Sequence, residues 1–229
     1  DTDTDTADRT LFLALAPGAN HTCGVTGDRS LACWGSNNHG QSSPPSGLFG
    51  GTIQDGTNHI LSGRDFTCAV SRQAVVHCWG KNDRHQATAP DELWLQLGIG
   101  DAHGCALTTL SDSHVSNITC WGANTHHQAS PPEERFSQLA AGSSFTCGLL
   151  LDDSIACWGS NVIGETSPPD TRFFQITAGH AHGCGLQTGD AEIVCWGANN
   201  HGQATPPGGA HTQVVAGDAH TCALTPTGA

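Results

Sequence analysis

A glycine followed five residues later by a cysteine occurs six times along this chain. The pairs are Gly18/Cys23, Gly63/Cys68, Gly100/Cys105, Gly142/Cys147, Gly179/Cys184 and Gly217/Cys222, and successive glycines lie 45, 37, 42, 37 and 38 residues apart. A period of this length is typical of propeller blades and solenoid units, which bury their apolar faces by stacking on similar neighbours. The sequence therefore predicts one repeat architecture rather than several unrelated domains.

A second motif completes each of the first five repeats. Cys-Trp-Gly recurs at Cys33, Cys78, Cys120, Cys157 and Cys195, and each copy is followed by an Asn, then a Gln or Glu, then a Pro. The sixth repeat carries the glycine and cysteine of the first motif only. We place these five full repeats and one half repeat in a single domain over residues 11–229, preceded by an acidic Asp/Thr segment over residues 1–10 that serves as a strand donor or a linker.

Apolar residues alternate with other residues within each repeat. Phe145, Cys147 and Leu149 show the period of two, and an apolar residue such as Ile155 stands two positions before each second cysteine. This pattern predicts antiparallel strands joined by turns, so the fold class is all-β, with the sheets of successive repeats stacked as blades around an axis. The repeated glycine is expected either to adopt a positive φ or to let two strands approach closely.

Ten of the 11 cysteines form closely spaced pairs that each bracket one predicted turn. Hairpin geometry brings such residues together, and a disulfide closing so short a loop contributes roughly 2–3 kcal/mol. The predicted disulfides are Cys23–Cys33, Cys68–Cys78, Cys105–Cys120, Cys147–Cys157 and Cys184–Cys195. Two alternatives stay open, namely disulfides between repeats, such as Cys33–Cys68, and zinc sites, which need four converging ligands. The hairpin pairing leaves Cys222 unpaired or free for an intermolecular bond, whereas the rival pairing leaves Cys23.

Acidic residues dominate the charged side chains. The chain has 21 Asp and Glu against 8 Lys and Arg, a net charge of −13, which argues against nucleic acid and anionic membranes as partners because both attract basic surfaces. No apolar run is long enough to insert into a bilayer. The starting Asp1 and the absence of Met indicate a mature chain whose leader was removed. Together with the cysteine frame, these features predict a secreted or cell-surface protein.

Several residues are candidates for modification. Asn20 and Asn117 each begin an Asn-x-Thr sequon and are predicted N-glycosylation sites. The alternating threonines of the N-terminal segment, Thr2, Thr4 and Thr6, are candidate O-glycosylation sites. The alternating aspartates resemble a calcium loop only weakly, since the glycine and the bidentate glutamate of such a loop are missing, and no metal is predicted.

The 14 histidines invite a catalytic or metal-binding interpretation, but their positions favour structural roles. Four of them occupy the position that Phe66 and Phe145 hold in other repeats, which indicates packing, and four lie in outer turns. The first group is His21, His103, His182 and His220, and the second is His39, His85, His127 and His201. The recurring tryptophans are expected to cover the disulfides between blades rather than to stack on sugars. Because no residue cluster breaks the repeat, we predict no catalytic residue, no cofactor and no enzyme activity.

The motif order resembles the repeat of the regulator of chromosome condensation superfamily. The resemblance covers residues 12–229 and rests on aromatic-x-x-apolar-x-x-Gly, His-Thr-Cys-Gly/Ala-Leu, Cys-Trp-Gly-x-Asn-x-x-Gly-Gln and Pro-Pro. It is greatest for the cysteine-bearing form found in plant crinkly-type receptor ectodomains. The resemblance implies a β-propeller that works as a binding surface, commonly with seven blades, and here we expect about six to seven. It does not carry over chromosome binding or nucleotide exchange, because no basic tail is present.

Two function classes remain. The first is a non-enzymatic structural protein that assembles head-to-tail into an extracellular filament or array, because a strand-capable N-terminal segment and an unfinished sixth blade are complementary. The alternative is a monomeric receptor-ectodomain or lectin-like propeller that binds a protein or glycan through loops, with the insertions Ser46–Asn58 and Thr108–Ser116 as natural contacts. A third expectation is that the sequence is a fragment of a longer chain whose other part finishes the ring.

Overall fold

The computed structural model describes residues 10–50, 60–92, 94–109 and 116–227, which form 17 strands. The described residues contain no helix that could cross a membrane. The strands are β1 (Phe12–Pro17), β2 (His21–Thr26), β3 (Leu31–Gly35), β4 (Ile60–Ser62), β5 (Phe66–Val70), β6 (Val76–Gly80), β7 (Trp94–Ile99), β8 (His103–Thr109), β9 (Ser116–Gly122), β10 (Phe136–Ala141), β11 (Phe145–Leu150), β12 (Ile155–Gly159), β13 (Phe173–Ala178), β14 (His182–Gln187), β15 (Ile193–Gly197), β16 (Gln213–Ala216) and β17 (Thr221–Leu224).

Each of the first five repeats forms one antiparallel sheet of three strands in chain order, from β1-β2-β3 to β13-β14-β15, and β16-β17 forms a sixth sheet. The prediction of an all-β fold of repeated sheets is confirmed. The segment after each Cys-Trp-Gly folds into turns. In the first repeat Asn37 and Gln41 accept the backbone N–H groups of Ser42 and His39 at 2.9 and 2.8 Å, so these groups are not available to a strand ladder.

The sheets stack through their first strands, with β1 against β4, β4 against β7, β7 against β10, β10 against β13 and β13 against β16. Each interface buries an apolar layer. Between the first and second sheets, for example, Val25 and Ala16 pack with Ile60, Ala69 and Trp79. The core is therefore a series of layers between neighbouring sheets, as expected for blades that cannot bury both faces alone.

The repeated glycine is explained by close approach rather than by an unusual φ. A Cβ on Gly18 would lie 2.7 Å from the carbonyl oxygen of Gly63, and one on Gly142 would lie 2.6 Å from that of Gly179. Each of the first five repeated glycines thus faces the backbone of its counterpart in the next sheet. Because any side chain would push the two sheets apart, this position admits only glycine.

Replacing Gly142 with Ala should destabilise the protein. The added methyl group would overlap the Phe145 ring and the Gly179 carbonyl oxygen, and overpacking of this kind costs about 1–3 kcal/mol. Gly208→Ala is the matched control, since no atom lies within 4 Å of a Cβ at that position. Urea unfolding of both variants tests the difference, and equal midpoints would contradict the close approach between sheets.

The aromatic residue of the second repeat lies earlier in the chain than the spacing predicts. Six residues before the repeated glycine, where the fifth repeat has Phe173, the second repeat has Thr57. Thr57 lies outside the described residues. In the structure the backbone N–H of Phe49 donates to Arg29 at 2.8 Å, just as that of Phe173 donates to Asp153 at 2.8 Å in a later repeat. Phe49 is buried against Ile60 and Trp79. Phe49, within the predicted contact loop Ser46–Asn58, therefore belongs to the core, and residues 51–59 lie outside the described residues.

The second and third strands of each full repeat are joined by a disulfide. Cys147 and Cys157 face each other in the ladder with their Cα atoms 4.0 Å apart, and the other bonds join Cys23–Cys33, Cys68–Cys78, Cys105–Cys120 and Cys184–Cys195. This is the pairing that the hairpin spacing predicts, and not the pairing between repeats. Cys222 is free and exposed.

Candidate interaction surfaces

The outer turn after each Cys-Trp-Gly is held rigid by its own side chains. In the third repeat, Asn124 accepts the N–H of Ala129 at 2.9 Å and donates to the Ser130 hydroxyl at 2.9 Å. Gln128 accepts the N–H of His126 at 2.8 Å. The same bonds recur around Asn37, Asn82, Asn161 and Asn199. The Asn and Gln side chains therefore brace the turns, which leaves the turn tips as the exposed, variable part.

The outer histidines belong to these turns. His85 and His127 have φ values of 61° and 62°, and Gly40, Gly164 and Gly202 take the same left-handed conformation at the equivalent position. His39 and His201 donate their backbone N–H groups to Gln41 and Gln203. Their role is conformational, which agrees with the interpretation from the sequence.

The turn of the fourth repeat has an apolar tip. Val162 is 84% exposed and Ile163 50% exposed, whereas the equivalent residues of the other turns are polar or charged, as in Asn200 and His201. This turn also has Glu165 in place of Gln. Burial raises the pKa of the Glu165 carboxyl, but hydrogen bonds from the Ser160 hydroxyl and from the backbone N–H groups of the turn outweigh that effect and lower the pKa below its ordinary value. The carboxylate is thus ionised while it braces the apolar tip.

A row of buried histidines connects neighbouring sheets. The Nε2 atoms of His21, His103 and His182 lie 2.8, 2.9 and 2.9 Å from threonine hydroxyls of the next sheet, on Thr67, Thr146 and Thr221. His103 is fully buried, and burial lowers its pKa to about 4. Burial lowers the pKa of all three imidazoles, which favours their neutral form, and each imidazole joins two sheets through its hydrogen bond. Sequence reasoning identified their packing role but missed the partner threonines, which follow the His or Phe position of the next repeat.

The Cys-Trp-Gly tryptophans of the second to fifth repeats each donate a hydrogen bond to the turn of the preceding repeat. The indole Nε1–H groups of Trp79, Trp121, Trp158 and Trp196 donate to backbone carbonyl oxygens of Gln41, Gln86, Gln128 and Glu165, at 3.0, 2.9, 2.9 and 3.0 Å. Trp121 also packs with Cys68, a disulfide cysteine of the preceding sheet. The expectation that these rings cover the disulfides between blades therefore agrees with the structure, and the hydrogen bond adds a fixed orientation.

Two apolar faces remain at the ends of the stack. On the first sheet, Leu15 and Trp34 are exposed, and Trp34 contacts only the Phe12 ring at a centroid distance of 5.5 Å among the described aromatic rings. On the sixth sheet, Val215 and Leu224 are exposed beside Cys222. The equivalent residues of the inner sheets are covered by a neighbouring sheet. We call these two surfaces the first end face (Leu15, Trp34) and the last end face (Val215, Leu224).

The predicted modification sites fall in different surroundings. Asn20 is exposed in the turn immediately before β2, as expected. Asn117 lies within β9, opposite Thr108 in the ladder. The ends of the predicted insertion Thr108–Ser116 belong to strands, because β8 extends to Thr109 and β9 begins at Ser116. The candidate sites Thr2, Thr4 and Thr6, the acidic N-terminal aspartates and residues 110–115 lie outside the described residues.

The comparisons with known proteins agree with this architecture. The regulator of chromosome condensation (RCC1) repeat profile matches residues 14–41 and 136–162, within the first and fourth repeats. No curated protein sequence matches the chain. The ectodomain of the receptor kinase CR4 from Physcomitrella patens is similar in structure, with 28% identity and a TM-score of 0.75, over 93% of this chain and 59% of that ectodomain.

Two further solved structures share the fold. The CRINKLY WD40 ectodomain of the receptor kinase ACR4 from Arabidopsis thaliana has 24% identity and a TM-score of 0.70, over 95% of this chain and 76% of that one. Prp20p from Saccharomyces cerevisiae has 15% identity and a TM-score of 0.70, over 93% of this chain and 68% of that one. Two segments of the chain thus match the RCC1 repeat profile, and the chain, with one disulfide in each full repeat, shares the fold of the CRINKLY receptor ectodomains.

Proposed function

We propose that this protein is a non-enzymatic extracellular interaction module that binds a protein partner through the turns of its sheets. The observation that carries the proposal is the apolar tip Val162–Ile163, presented on a turn that Glu165 and Asn161 hold rigid. Exposed apolar residues on a rigid turn, surrounded by polar turns, are typical of contact sites between proteins. Its likeness to receptor ectodomains and its disulfides support an extracellular location.

Binding of the fluorescently labelled chain to intact cells of its own source tests this function. We expect saturable binding that weakens by roughly ten-fold or more when Val162→Asn and Ile163→His convert the tip to that of the fifth repeat. The matched change Asn38→Ala with His39→Ala, in the first turn, should leave binding unchanged. Equal binding by both variants would contradict the role of the tip. Binding that survives protease treatment of the cells but not removal of their glycans would favour the lectin-like alternative.

We propose N-glycosylation as part of the same extracellular role, first of all at Asn20. The residue is exposed in a turn beside β2, where a glycan can extend into solvent. Secretion from a eukaryotic cell should yield a chain whose mass falls on treatment with an amide-cleaving glycosidase. Asn20→Gln should remove that shift in part or whole, and a chain of unmodified mass would contradict the proposal.

Head-to-tail self-assembly is the second candidate, favoured by the two end faces. The first end face resembles the inner surface formed by Leu97 and Trp121, which packs on the preceding sheet, so the last end face of another copy could cover it. Light scattering over a range of concentrations should show growing oligomers that Leu15→Asp abolishes. A sharp monomer at every concentration would eliminate this candidate.

A further inference from the structure

The outer edge of the fourth sheet is formed by β12, because the strands of this sheet follow the order β10-β11-β12. The backbone N–H of Leu150 donates to the Ser154 carbonyl at 2.8 Å, and that of Ser160 donates to the Ser144 carbonyl at 2.9 Å. Hydrogen-bonded and non-bonded pairs alternate along an antiparallel ladder. These two bonds therefore specify which residues of β12 direct their backbone groups toward β11.

Three residues of β12 direct their backbone N–H and C=O groups away from β11, namely Ile155, Cys157 and Gly159. Each belongs to a non-bonded pair of the ladder, and the Cα atoms of Cys147 and Cys157 lie only 4.0 Å apart, as is typical of such pairs. Within the described residues, the outward groups have no hydrogen-bond partner. All five residues of β12 are partly exposed. The edge of β12 is therefore open to a further strand.

Exposed apolar side chains lie at both ends of β12. Leu151, in the hairpin before the strand, is 59% exposed, and the apolar tip Val162–Ile163 follows the strand. The residues equivalent to Leu151 in the first, second and fifth hairpins are Gly27, Arg72 and Thr188, and the third hairpin lies partly outside the described residues. Among the four hairpins that the structure describes in full, only the fourth has an apolar residue here. We call Leu151, the open edge of β12 and the apolar tip together the β12 surface.

The charges near β12 favour a basic partner. Asp152 and Asp153 are exposed beside Leu151. Asp152 pairs with Arg172 at 2.8 Å, whereas Asp153 has no charged partner in the described part of the chain. Residues 154–164 carry no charge, and the whole chain has a net charge of −13. A chain of this charge repels a second copy of itself and attracts a basic segment.

We propose that the β12 surface binds an extended, basic segment of a partner protein by strand addition. The proposal rests on the function proposed above, because it uses the same apolar tip, and it states what the partner presents to that tip. The segment pairs with the outward groups of β12, whose spacing matches that of any extended backbone. Five residues of strand span about 17 Å, so a segment of roughly seven residues reaches from Leu151 to the apolar tip.

The side chains of the segment make the contact selective for the fourth sheet. An apolar residue at each end covers Leu151 or the apolar tip, which removes exposed apolar surface from water. A lysine or arginine near Leu151 lies opposite Asp153. The open edge of β6 is flanked instead by Arg72, Lys81 and Arg84, and these cations repel a basic segment.

Ile155→Pro tests strand addition in the cell-binding assay described above. The change removes an N–H group that points away from β11, so no hydrogen bond inside the sheet is lost. We expect binding to weaken by roughly ten-fold or more. The matched control is Ile193→Pro, which makes the same change at the equivalent position of β15 and should leave binding unchanged. Circular dichroism checks that both variants keep their sheets.

Two surface changes test the side chains and leave the backbone of β12 intact. Leu151→Thr gives the fourth hairpin the residue of the fifth, and Asp153→Asn removes a charge at a position whose φ of 68° asparagine tolerates. Each should weaken binding by roughly three-fold or more. Leu48→Thr and Asp190→Asn are the matched controls, since both residues are exposed outside the β12 surface, and they should have no effect.

The outcomes separate this proposal from the function on which it rests. Unchanged binding by Ile155→Pro, with loss of binding by the tip variants, would overturn strand addition and leave the proposed function intact. If Ile155→Pro loses its sheets, unchanged binding by Leu151→Thr and Asp153→Asn would overturn it equally. A wild-type chain without saturable binding would contradict the proposed function itself. Dimers of the chain that sediment as such and disappear in Ile155→Pro would also overturn the proposal, because a second copy would then occupy the edge.

Discussion

Trp121→Ala is expected to destabilise the protein by about 3–5 kcal/mol, the range for removing a large buried aromatic side chain. Trp121 is buried between the second and third sheets, packs with Cys68 and donates to the Gln86 carbonyl at 2.9 Å. The change removes the packing of the ring and leaves that carbonyl without its donor. Denaturant unfolding with the disulfides intact, followed by near-ultraviolet circular dichroism, measures the loss.

Trp34→Ala is the control that isolates the interface. Trp34 belongs to the same Cys-Trp-Gly motif, but it lies on the first end face and is 46% exposed. We expect a loss of about 1 kcal/mol or less, since a half-exposed side chain contributes little burial. Trp121→Phe should fall between the two, because the ring is kept and the hydrogen bond is lost. A Trp34→Ala loss as large as that of Trp121→Ala would show that the tryptophans stabilise single sheets and not the contacts between them.

His103→Phe is expected to remove much of the acid sensitivity of the fold. Burial lowers the pKa of His103 from 6.5 to about 4 in the folded protein. Between about pH 6.5 and pH 4, His103 is therefore protonated in the unfolded chain but neutral in the folded chain. The stability that comes from a neutral His103 is complete above about pH 7 and is lost as the pH falls toward about 4, by roughly 3 kcal/mol in total. Below that range both states are protonated and the loss levels off.

Phenylalanine suits this position because Phe66 and Phe145 occupy it in other repeats. Thr146 would lose the imidazole but keep its bond to the Gln128 carbonyl at 3.1 Å. Urea unfolding at pH values from about 7 to about 4 should give a shallower slope for His103→Phe than for the wild-type chain. The exposed His126→Phe is the control and should leave the slope unchanged. An unaltered slope in His103→Phe would mean that the imidazole is not buried as a neutral group.

The repeat pattern predicted much of this fold because the same spacing of apolar residues and cysteines recurs in every full repeat. The period of two around Cys147 predicted strands, and the hairpin spacing of Cys147 and Cys157 favoured a disulfide between them; both are present in the structure. The turns that follow each Cys-Trp-Gly depend on side-chain hydrogen bonds and were harder to predict. Asn124 and Gln128 bind backbone N–H groups through their side chains, and such bonds compete with a ladder in a way that hydrophobic alternation does not reveal.

Features that depend on contacts between repeats were less visible in the sequence. Phe49 takes the aromatic position of its repeat although residues 51–59 separate it from β4, and an alignment by spacing cannot identify such a shift. The pairing of His103 with Thr146 crosses from one repeat to the next. The sequence does contain a signal for this pairing. Whenever one repeat has His at this position, the next repeat has Thr directly after its own His or Phe, as in His103 and Thr146. The sequence shows that Val162 and Ile163 are apolar where the other turns have polar or charged residues. That both side chains are exposed is seen only in the structure.

Peptide mapping of the secreted, unreduced protein by mass spectrometry tests the central claim most directly, which is that each full repeat is one sheet closed by its own disulfide. We expect five linked pairs, namely Cys23–Cys33, Cys68–Cys78, Cys105–Cys120, Cys147–Cys157 and Cys184–Cys195, with Cys222 recovered as a free thiol or linked to a partner's cysteine. Peptides that join Cys33 to Cys68, or cysteines recovered reduced, would contradict it.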